Sequence, residues 1–235
     1  MSPTPAKVAA PQAWAVHKFG GSSVADADCF ARVATLIEQQ PRRNVAVVLS
    51  ACKGVTDALL GLATRAEQKD ARWQQDLAAL RERHAGIART LLPPAEVSAY
   101  LEQFDADRAD MARLLQSAME RGHADRATRD RLSGYGEIWS TRLFHRYLAQ
   151  RGARKGLQWI DARQCLVVEW TNLGPGVQWE VSRTKLAKLV APDAQTLVIT
   201  GFIACTPEGT QTTLGRNGSD FSASIFGALL DAAEI

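Results

Sequence analysis

Hydrophobic positions divide the chain into short apolar runs and longer amphipathic segments. The runs at 14–19, 44–50 and 196–200 are typical of strands in a parallel sheet that is covered on both faces. Amphipathic segments with apolar residues at helical spacing follow the first two runs, from about Ala25 and from Val55. This alternation predicts an α/β fold, doubly wound, with a mainly parallel sheet and helices on both faces.

The middle of the chain departs from this alternation. Residues 71–122 carry apolar residues at helical spacing, and the pattern is interrupted at Pro93 and Pro94. Two helices that form a hairpin inserted into the α/β domain are therefore expected. Later elements are predicted as a helix from about Arg129 to Gln150, strands at 157–160 and 165–170, a turn at 207–209 between two strands, and a last helix from Ser219 or Asp220 to the end.

Composition narrows the class of protein. The 235 residues are 46% hydrophobic and 23% charged, which is ordinary for a globular chain. Basic and acidic residues are nearly balanced, with a net charge of +3, so the charge does not predict a nucleic-acid partner. No apolar run reaches the roughly 20 residues of a membrane-spanning helix. Four scattered cysteines favour reduced thiols and a cytoplasmic location over a zinc site. Residues 1–13 are expected to form a disordered tail, and 14–235 the folded domain.

The first loop with candidate chemistry is Lys18-Phe19-Gly20-Gly21-Ser22-Ser23, between a strand and a helix. Glycines let the backbone approach an anion closely, the helix N-terminus offers unpaired N–H groups, and Lys18 adds a full charge. These features favour a phosphate site, with a plain turn and a solvated lysine as the alternative. The P-loop pattern is excluded because the lysine precedes the glycines.

The second loop is Leu214-Gly215-Arg216-Asn217-Gly218-Ser219-Asp220. Ser219 is a candidate helix cap, and Asp220 is favourable near the positive end of the helix dipole. Capping alone does not account for an arginine between two glycines. Arg216 in this position is suited to a bidentate contact with a carboxylate or a phosphate.

Both loops follow predicted strands, at the sheet edge where open α/β proteins bind ligands. A third strand-to-helix turn, 50–56, has a similar small and polar composition, and Glu137 adds a carboxylate on a helix. A solvated surface position is the alternative for Glu137. Together these groups predict a site for an anionic metabolite beside a polyphosphate, with catalysis by alignment and charge neutralisation.

The chain resembles the aspartokinases at five segments that occur in the family's order. These segments are 18–24 (KFGGSSV), 50–56 (SACKGVT), 134–137 (GYGE), 200–203 (TGFI) and 214–220 (LGRNGSD). The sequence at 17–23, together with Asn217 in the last segment, is most similar to the kinase part of bifunctional aspartokinase/homoserine dehydrogenases, the methionine-linked type in particular.

This resemblance implies the amino acid kinase fold and transfer of the γ-phosphoryl group of ATP to the side chain of L-aspartate. The product is 4-phospho-L-aspartate, the first intermediate toward lysine, methionine and threonine. Mg²⁺ would be carried by ATP, so no metal ligand is assigned, and the full-length protein is expected to form a homo-oligomer. The implied roles are ATP phosphate binding by Lys18, Phe19, Gly20, Gly21 and Ser22, aspartate binding by Thr56, Glu137, Phe202, Arg216, Asn217, Gly218 and Ser219, and catalysis by Lys18 and Asp220.

Asp220 is expected to hold lysine side chains in place. Asp220 is not expected to act as a base, because the attacking carboxylate of the substrate aspartate has no proton to lose at neutral pH. The family's nucleotide-base half corresponds to sequence beyond Ile235, so 14–235 is predicted to be a partial kinase domain. Two alternatives stay open: another amino acid kinase with a different acceptor, and a non-catalytic fragment or subunit that binds aspartate.

Overall fold

The computed structural model describes residues 13–172 and 174–235. The disordered tail expected at 1–13 lies outside these residues, apart from Ala13. The strands are β1 (Ala15–Phe19), β2 (Val45–Leu49), β3 (Leu157–Ile160), β4 (Val168–Thr171), β5 (Gly174–Val177), β6 (Thr196–Thr200), β7 (Ile203–Cys205) and β8 (Gln211–Thr213). The helices are α1 (Ala27–Glu38), α2 (Val55–Glu67), α3 (Trp73–Leu91), α4 (Pro94–Arg121), α5 (Arg126–Arg151), α6 (Trp179–Leu189) and α7 (Gly218–Leu229).

The central sheet has four parallel strands in the order β1-β2-β6-β3. Every residue of β2 and β6 is buried, as their continuous apolar sequences predict, so both faces of the sheet are covered. Helix α5 packs on β2, β3 and β6, whereas α7 packs on β1 and β2. The predicted parallel α/β architecture is confirmed, and all four strands end at the same edge.

The segment 71–122 forms the predicted helical hairpin, α3 and α4, which packs on α2 and α5. Pro94 occupies the first turn of α4, where its missing N–H costs no hydrogen bond. Rings of the hairpin pack on α5: the ring of His84 lies 5.3 Å from that of Phe104 in the hairpin and 5.2 Å from that of Trp139 on α5. Burial lowers the pKa of His84 to about 4, so this core histidine is neutral near pH 7.

Two antiparallel hairpins, β4–β5 and β7–β8, lie outside the central sheet. The predicted turn at 207–209 does connect β7 and β8. The strand expected at 165–170 begins later, at Val168, because residues 162–164 form a 3-10 turn. Strand β5 and helix α6 were not predicted, since the Gly-Pro-Gly sequence of β5 has the composition of a turn and α6 exposes Trp179 and Val181.

The last helix differs from its prediction at both ends. Asn217 occupies the position before the first turn, with a left-handed φ of 59°, so the expected capping role of Ser219 is wrong: Ser219 lies inside the helix. The helix ends at Leu229 and does not continue to the end of the chain. Beyond it the backbone turns back to β1, where the Val16 N–H donates to the Glu234 carbonyl at 3.0 Å.

Candidate active site

Three turns at the carboxyl edge of the central sheet surround one cavity of about 610 Å³. They are the loop after β1, the loop after β2, and the segment from β8 into α7. Strands β1 and β2 are parallel and end at this edge, and α7, which follows the Arg216 loop, packs on both of them, so segments almost 200 positions apart in sequence meet here. The Arg216 loop follows β8, outside the central sheet, so the expectation that a strand of the sheet precedes it is wrong. The lining residues are Lys18, Gly20, Gly21, Ser50, Ala51, Cys52, Lys53, Gly54, Thr56, Asp57, Leu60, Asp130, Ser133, Glu137, Phe202, Thr213, Gly215, Arg216, Asn217, Gly218, Ser219 and Asp220.

Lys18 and Arg216 therefore line the same cavity, as the convergence of the two loops requires. The Lys18 Nζ lies 2.7 Å from Asp220 Oδ1, and the lysine side chain is 23% exposed. Asp220 was predicted to hold a lysine in place, and this ion pair is the contact that such a role requires. Arg216 and Asn217 are exposed, and Arg216 makes no ion pair within the described residues.

The loop after β1 is packed tightly against the loop after β2. A Cβ atom on Gly21 would lie 2.9 Å from the carbonyl oxygen of Ala51, so only glycine fits at this point. The Lys53 N–H donates to the Gly21 carbonyl at 3.0 Å. Arg83 of α3 donates to the carbonyl oxygens of Ala25 and Lys53, which connects the helical hairpin to both loops.

Glu137 is the buried carboxyl group of the site. It is 3% exposed, so the alternative of a solvated surface glutamate is wrong. Its Oε1 accepts a hydrogen bond of 3.0 Å from the Ala51 N–H, whereas Oε2 is buried and has no partner in the described structure. Burial raises the pKa of Glu137 to about 8, and the bond from Ala51 only partly opposes this. Glu137 is therefore largely protonated near pH 7 until a cation is placed beside it.

Both glycines of the Gly134-Tyr135-Gly136-Glu137 segment allow α5 to pack closely on neighbouring elements. A Cβ atom on Gly136 would lie 2.6 Å from the Ala51 Cβ, and one on Gly134 would lie 2.7 Å from the Ile203 Cγ2. The helix can therefore lie directly against the loop after β2 and against the β7–β8 hairpin. This packing brings Glu137 to the cavity wall.

Most of the candidate residues from the sequence are brought together. Those that line the cavity are Lys18, Gly20, Gly21, Thr56, Glu137, Phe202, Arg216, Asn217, Gly218, Ser219 and Asp220. Phe19 and Ser22 are not among the described lining residues. Phe19 ends β1 and its carbonyl accepts from the Ser50 N–H, while the Ser22 carbonyl accepts from the Cys29 thiol.

Two further charged lining residues were not predicted individually as site residues, although Lys53 lies in the 50–56 turn that the sequence indicated. Lys53 adds a third positive side chain to the rim, and Asp130 lies two turns before Glu137 on the same face of α5. Asp130 accepts hydrogen bonds from the hydroxyls of Thr212 and Thr213. Burial raises the pKa of Asp130, and these hydrogen bonds oppose the shift.

The geometry suits an anionic ligand that also carries a cationic group. Lys18, Lys53 and Arg216 supply positive charge around the opening, whereas Glu137 is a buried carboxyl whose Oε2 has no partner among the described residues. Within 13–172 and 174–235, no group of three or more His, Cys, Asp or Glu side chains is arranged to hold a metal ion. Among the same residues no helix has the length and apolar character needed to cross a bilayer.

The model of the amino acid kinase family matches residues 13–235. The chain belongs to the amino acid kinase family. The predicted fold is thus confirmed by the family match as well as by the parallel sheet.

Aspartokinases are among the proteins that this chain is similar to. It is 33% identical over 94% of its length to a chloroplastic bifunctional aspartokinase/homoserine dehydrogenase 1 of Zea mays, and 33% identical over the same share to bifunctional aspartokinase/homoserine dehydrogenase 2 of Escherichia coli. It is 31% identical to an aspartokinase of Chlamydia muridarum, again over 94% of its length. The matched part is 24%, 26% and 46% of those three proteins, respectively.

A solved structure shows the same architecture. E. coli aspartokinase III in complex with aspartate and ADP superposes with a TM-score of 0.80 and 29% identity, over 93% of this chain and 47% of that one. The resemblance to aspartokinases seen in the five sequence segments is confirmed.

Proposed function

We propose that this chain is an aspartate kinase domain, which phosphorylates the side-chain carboxylate of L-aspartate with ATP to give 4-phospho-L-aspartate. The observation that carries the proposal is the shared cavity, in which Lys18 and Arg216 face the same space above the buried Glu137. The aspartokinase relatives, and the E. coli neighbour solved with aspartate and ADP, support the same assignment. Such an enzyme would open the route to lysine, methionine and threonine.

The transfer needs positioning and charge neutralisation more than proton transfer. A side-chain carboxylate oxygen of aspartate attacks the γ-phosphorus of ATP, a new O–P bond forms, the bond to the β–γ bridging oxygen breaks, and ADP leaves with those electrons. Lys18 would neutralise charge on the transferred group, assisted by the backbone of Gly20 and Gly21. Asp220 would orient Lys18 through their 2.7 Å contact.

Aspartate has two carboxylates and one ammonium group, which match the charges of the cavity. Arg216 would bind one carboxylate in a bidentate contact, with Asn217, Gly218 and Ser219 beside it. The free Oε2 of Glu137 would accept the ammonium group, with Thr56 and Phe202 completing the wall. Because Glu137 is largely protonated in the free chain, this contact would release a proton, and aspartate affinity would increase with pH between about 6 and 8.

Mg²⁺ would be carried by ATP and would supply charge neutralisation at its phosphates. Within the described residues no group of three or more His, Cys, Asp or Glu side chains is arranged to hold a metal ion, so we assign no protein ligand to the ion and no step to it. The cytoplasmic location and the homo-oligomer of the full-length protein stay predictions.

An aspartyl-hydroxamate assay on the purified chain tests the proposal, with Lys18→Ala and, as a matched control, Lys188→Ala on the exposed side of α6. Hydroxamate formation that Lys18→Ala abolishes and Lys188→Ala preserves is the expected result. Turnover of a different carboxylic acid, without turnover of aspartate, would point to another amino acid kinase. Aspartate binding in calorimetry without turnover would establish the non-catalytic fragment instead.

A further inference from the structure

Asp130 lies at the centre of a closed network of four side chains next to the cavity. Its Oδ2 accepts from the Thr212 hydroxyl at 3.0 Å, and Thr212 in turn accepts from the Trp170 indole N–H at 2.9 Å. The guanidinium of Arg126 lies 3.6 Å above the Trp170 ring, and the Arg126 Nε is 3.7 Å from Asp130 Oδ2. The network connects α5, β4 and β8, which are distant in sequence.

The network supports the base of the loop that carries Arg216. Thr213, which donates to Asp130 Oδ1 at 3.4 Å, is the last residue of β8 and comes three positions before Arg216. The Trp170 ring lies beneath Gly215, where an ideal Cβ atom would be 3.6 Å from it. The Thr213–Asp130 hydrogen bond and the Trp170–Gly215 contact therefore hold the chain just before Arg216. Arg216 itself is exposed and makes no ion pair among the described residues.

Asp130 is better suited to hold this loop than to contact an anionic ligand. Its side chain is 16% exposed and receives two hydroxyl donors and one nearby guanidinium. Burial raises the pKa of Asp130, and the hydrogen bonds from Thr212 and Thr213 and the charge of Arg126 oppose that shift. A buried acceptor with several donors restricts their geometry more than a single hydrogen bond would.

We propose that Asp130 is a positioning residue that sets the aspartate affinity of the site, because it fixes Thr212, Thr213 and Trp170 beneath the loop of Arg216. The inference rests on the proposed function, since aspartate is the ligand whose carboxylate Arg216 would bind. A misplacement of about 1 Å in such a contact is enough to weaken binding strongly.

The test is a calorimetric titration of L-aspartate into the full chain carrying Asp130→Ala. Asp107→Ala is the matched control, because Asp107 is also a partly buried carboxylate that accepts from an indole N–H, that of Trp139, and pairs with an arginine, Arg142. We expect about tenfold weaker aspartate binding in Asp130→Ala and less than a twofold change in Asp107→Ala. If Asp130→Ala does not fold, Thr212→Val removes the Thr212 hydroxyl and keeps the branched shape of the side chain, and it is expected to weaken binding several-fold.

A double-mutant cycle with Arg216→Lys separates positioning from a general structural effect. If Asp130 acts through the loop of Arg216, adding Asp130→Ala to Arg216→Lys weakens binding by less than twofold more. Multiplicative losses, or unchanged aspartate affinity in both Asp130→Ala and Thr212→Val, would overturn the inference and leave the proposed function intact. A wild-type chain that does not bind aspartate would overturn both.

Discussion

The two sides of the cavity are built in different ways. On one side, the loops after β1 and β2 are held by backbone contacts: Gly21 lies against the Ala51 carbonyl, and the Ala51 N–H is bound by buried Glu137. On the other side, Arg216 and Asn217 are exposed, and the loop is held on either side of them: by Trp170, the β8 threonines and the bond from the Leu214 N–H to the Phe202 carbonyl before them, and by the buried Gly218 after them.

This difference corresponds to two kinds of ligand contact. A backbone cradle for phosphate needs fixed N–H groups, and close packing of loops supplies them at no further cost when the ligand binds. A side chain that binds a small carboxylate must be accessible, and an arginine without an ion pair does not have to break one first. We expect substitutions on the packed side to change stability and those on the exposed side to change binding.

Gly21→Ala is expected to have the largest effect on stability. The added Cβ would lie 2.9 Å from the Ala51 carbonyl oxygen and 3.3 Å from the Lys53 nitrogen, both of which are backbone atoms that cannot rotate away. We expect a loss of about 3 kcal/mol in the free energy of unfolding, measured by urea denaturation.

Asn217→Gly is the matched change on the exposed side. Asn217 has a φ of 59°, a conformation that glycine adopts without strain, so its unfolding free energy should stay within about 0.5 kcal/mol of the wild-type value. Gly86→Ala in α3 controls for the gain of a methyl group, because a Cβ atom at Gly86 would have no neighbour within 4 Å among the described residues. Equal losses in Gly21→Ala and Asn217→Gly would refute the contrast between the two sides.

Glu137→Gln is expected to change the pH dependence of stability. The folded-state pKa of Glu137 is raised to about 8 from 4.5, so between these values the folded state holds a proton that the unfolded state has lost. Wild-type stability therefore falls as the pH rises through this window, and a glutamine does not contribute to that fall. Relative to the wild type, Glu137→Gln should gain roughly 2 kcal/mol between pH 5 and pH 7.

Urea denaturation at pH 5, 6 and 7 measures this difference. Parallel pH profiles for the wild type and Glu137→Gln would show that Glu137 is ionised in the folded chain. That result would contradict the assignment of a buried, protonated group at the packed side of the cavity.

Asp220→Asn is expected to have the smallest effect on stability. The Lys18–Asp220 pair is short, but the Asp220 side chain is 63% exposed, and exposed pairs contribute about 0.5 kcal/mol or less. The change should instead free the lysine, which would be detected as a weaker salt dependence of unfolding together with altered hydroxamate turnover. A loss of several kcal/mol in Asp220→Asn would show that the pair is structural.

The sequence predicted best those helices and strands in which apolar residues recur at a regular spacing or form a continuous run. The continuous apolar runs of β2 and β6 identified the parallel sheet, and the glycine-bearing turns after the strands located the cavity edge. Helix α6 and strand β5 were missed because neither has a periodic apolar face. The start of α7 was misjudged because the left-handed conformation of Asn217 depends on the loop before it.

Within the site, the sequence indicated residues that belong to local motifs and missed those that depend on tertiary contacts. Lys18 comes just before a glycine pair at the end of β1, and Arg216 lies in a glycine-bearing loop, so their chemistry could be predicted locally. Asp130 lies in a stretch of α5 without any motif, and its partners Trp170 and Thr212 come 40 and 82 positions later. Contacts between residues so distant in sequence leave no periodic pattern or short motif from which they could be predicted.

The most direct test of the account is the heat of L-aspartate binding to the wild-type chain and to Arg216→Ala. The account predicts saturable binding to the wild type and at least tenfold weaker binding to Arg216→Ala, with both proteins showing the same thermal unfolding transition. Arg113→Ala, an exposed arginine on α4, should bind aspartate as the wild type does. Equal aspartate affinity in the wild type and Arg216→Ala would contradict the claim that the two loops form one substrate site.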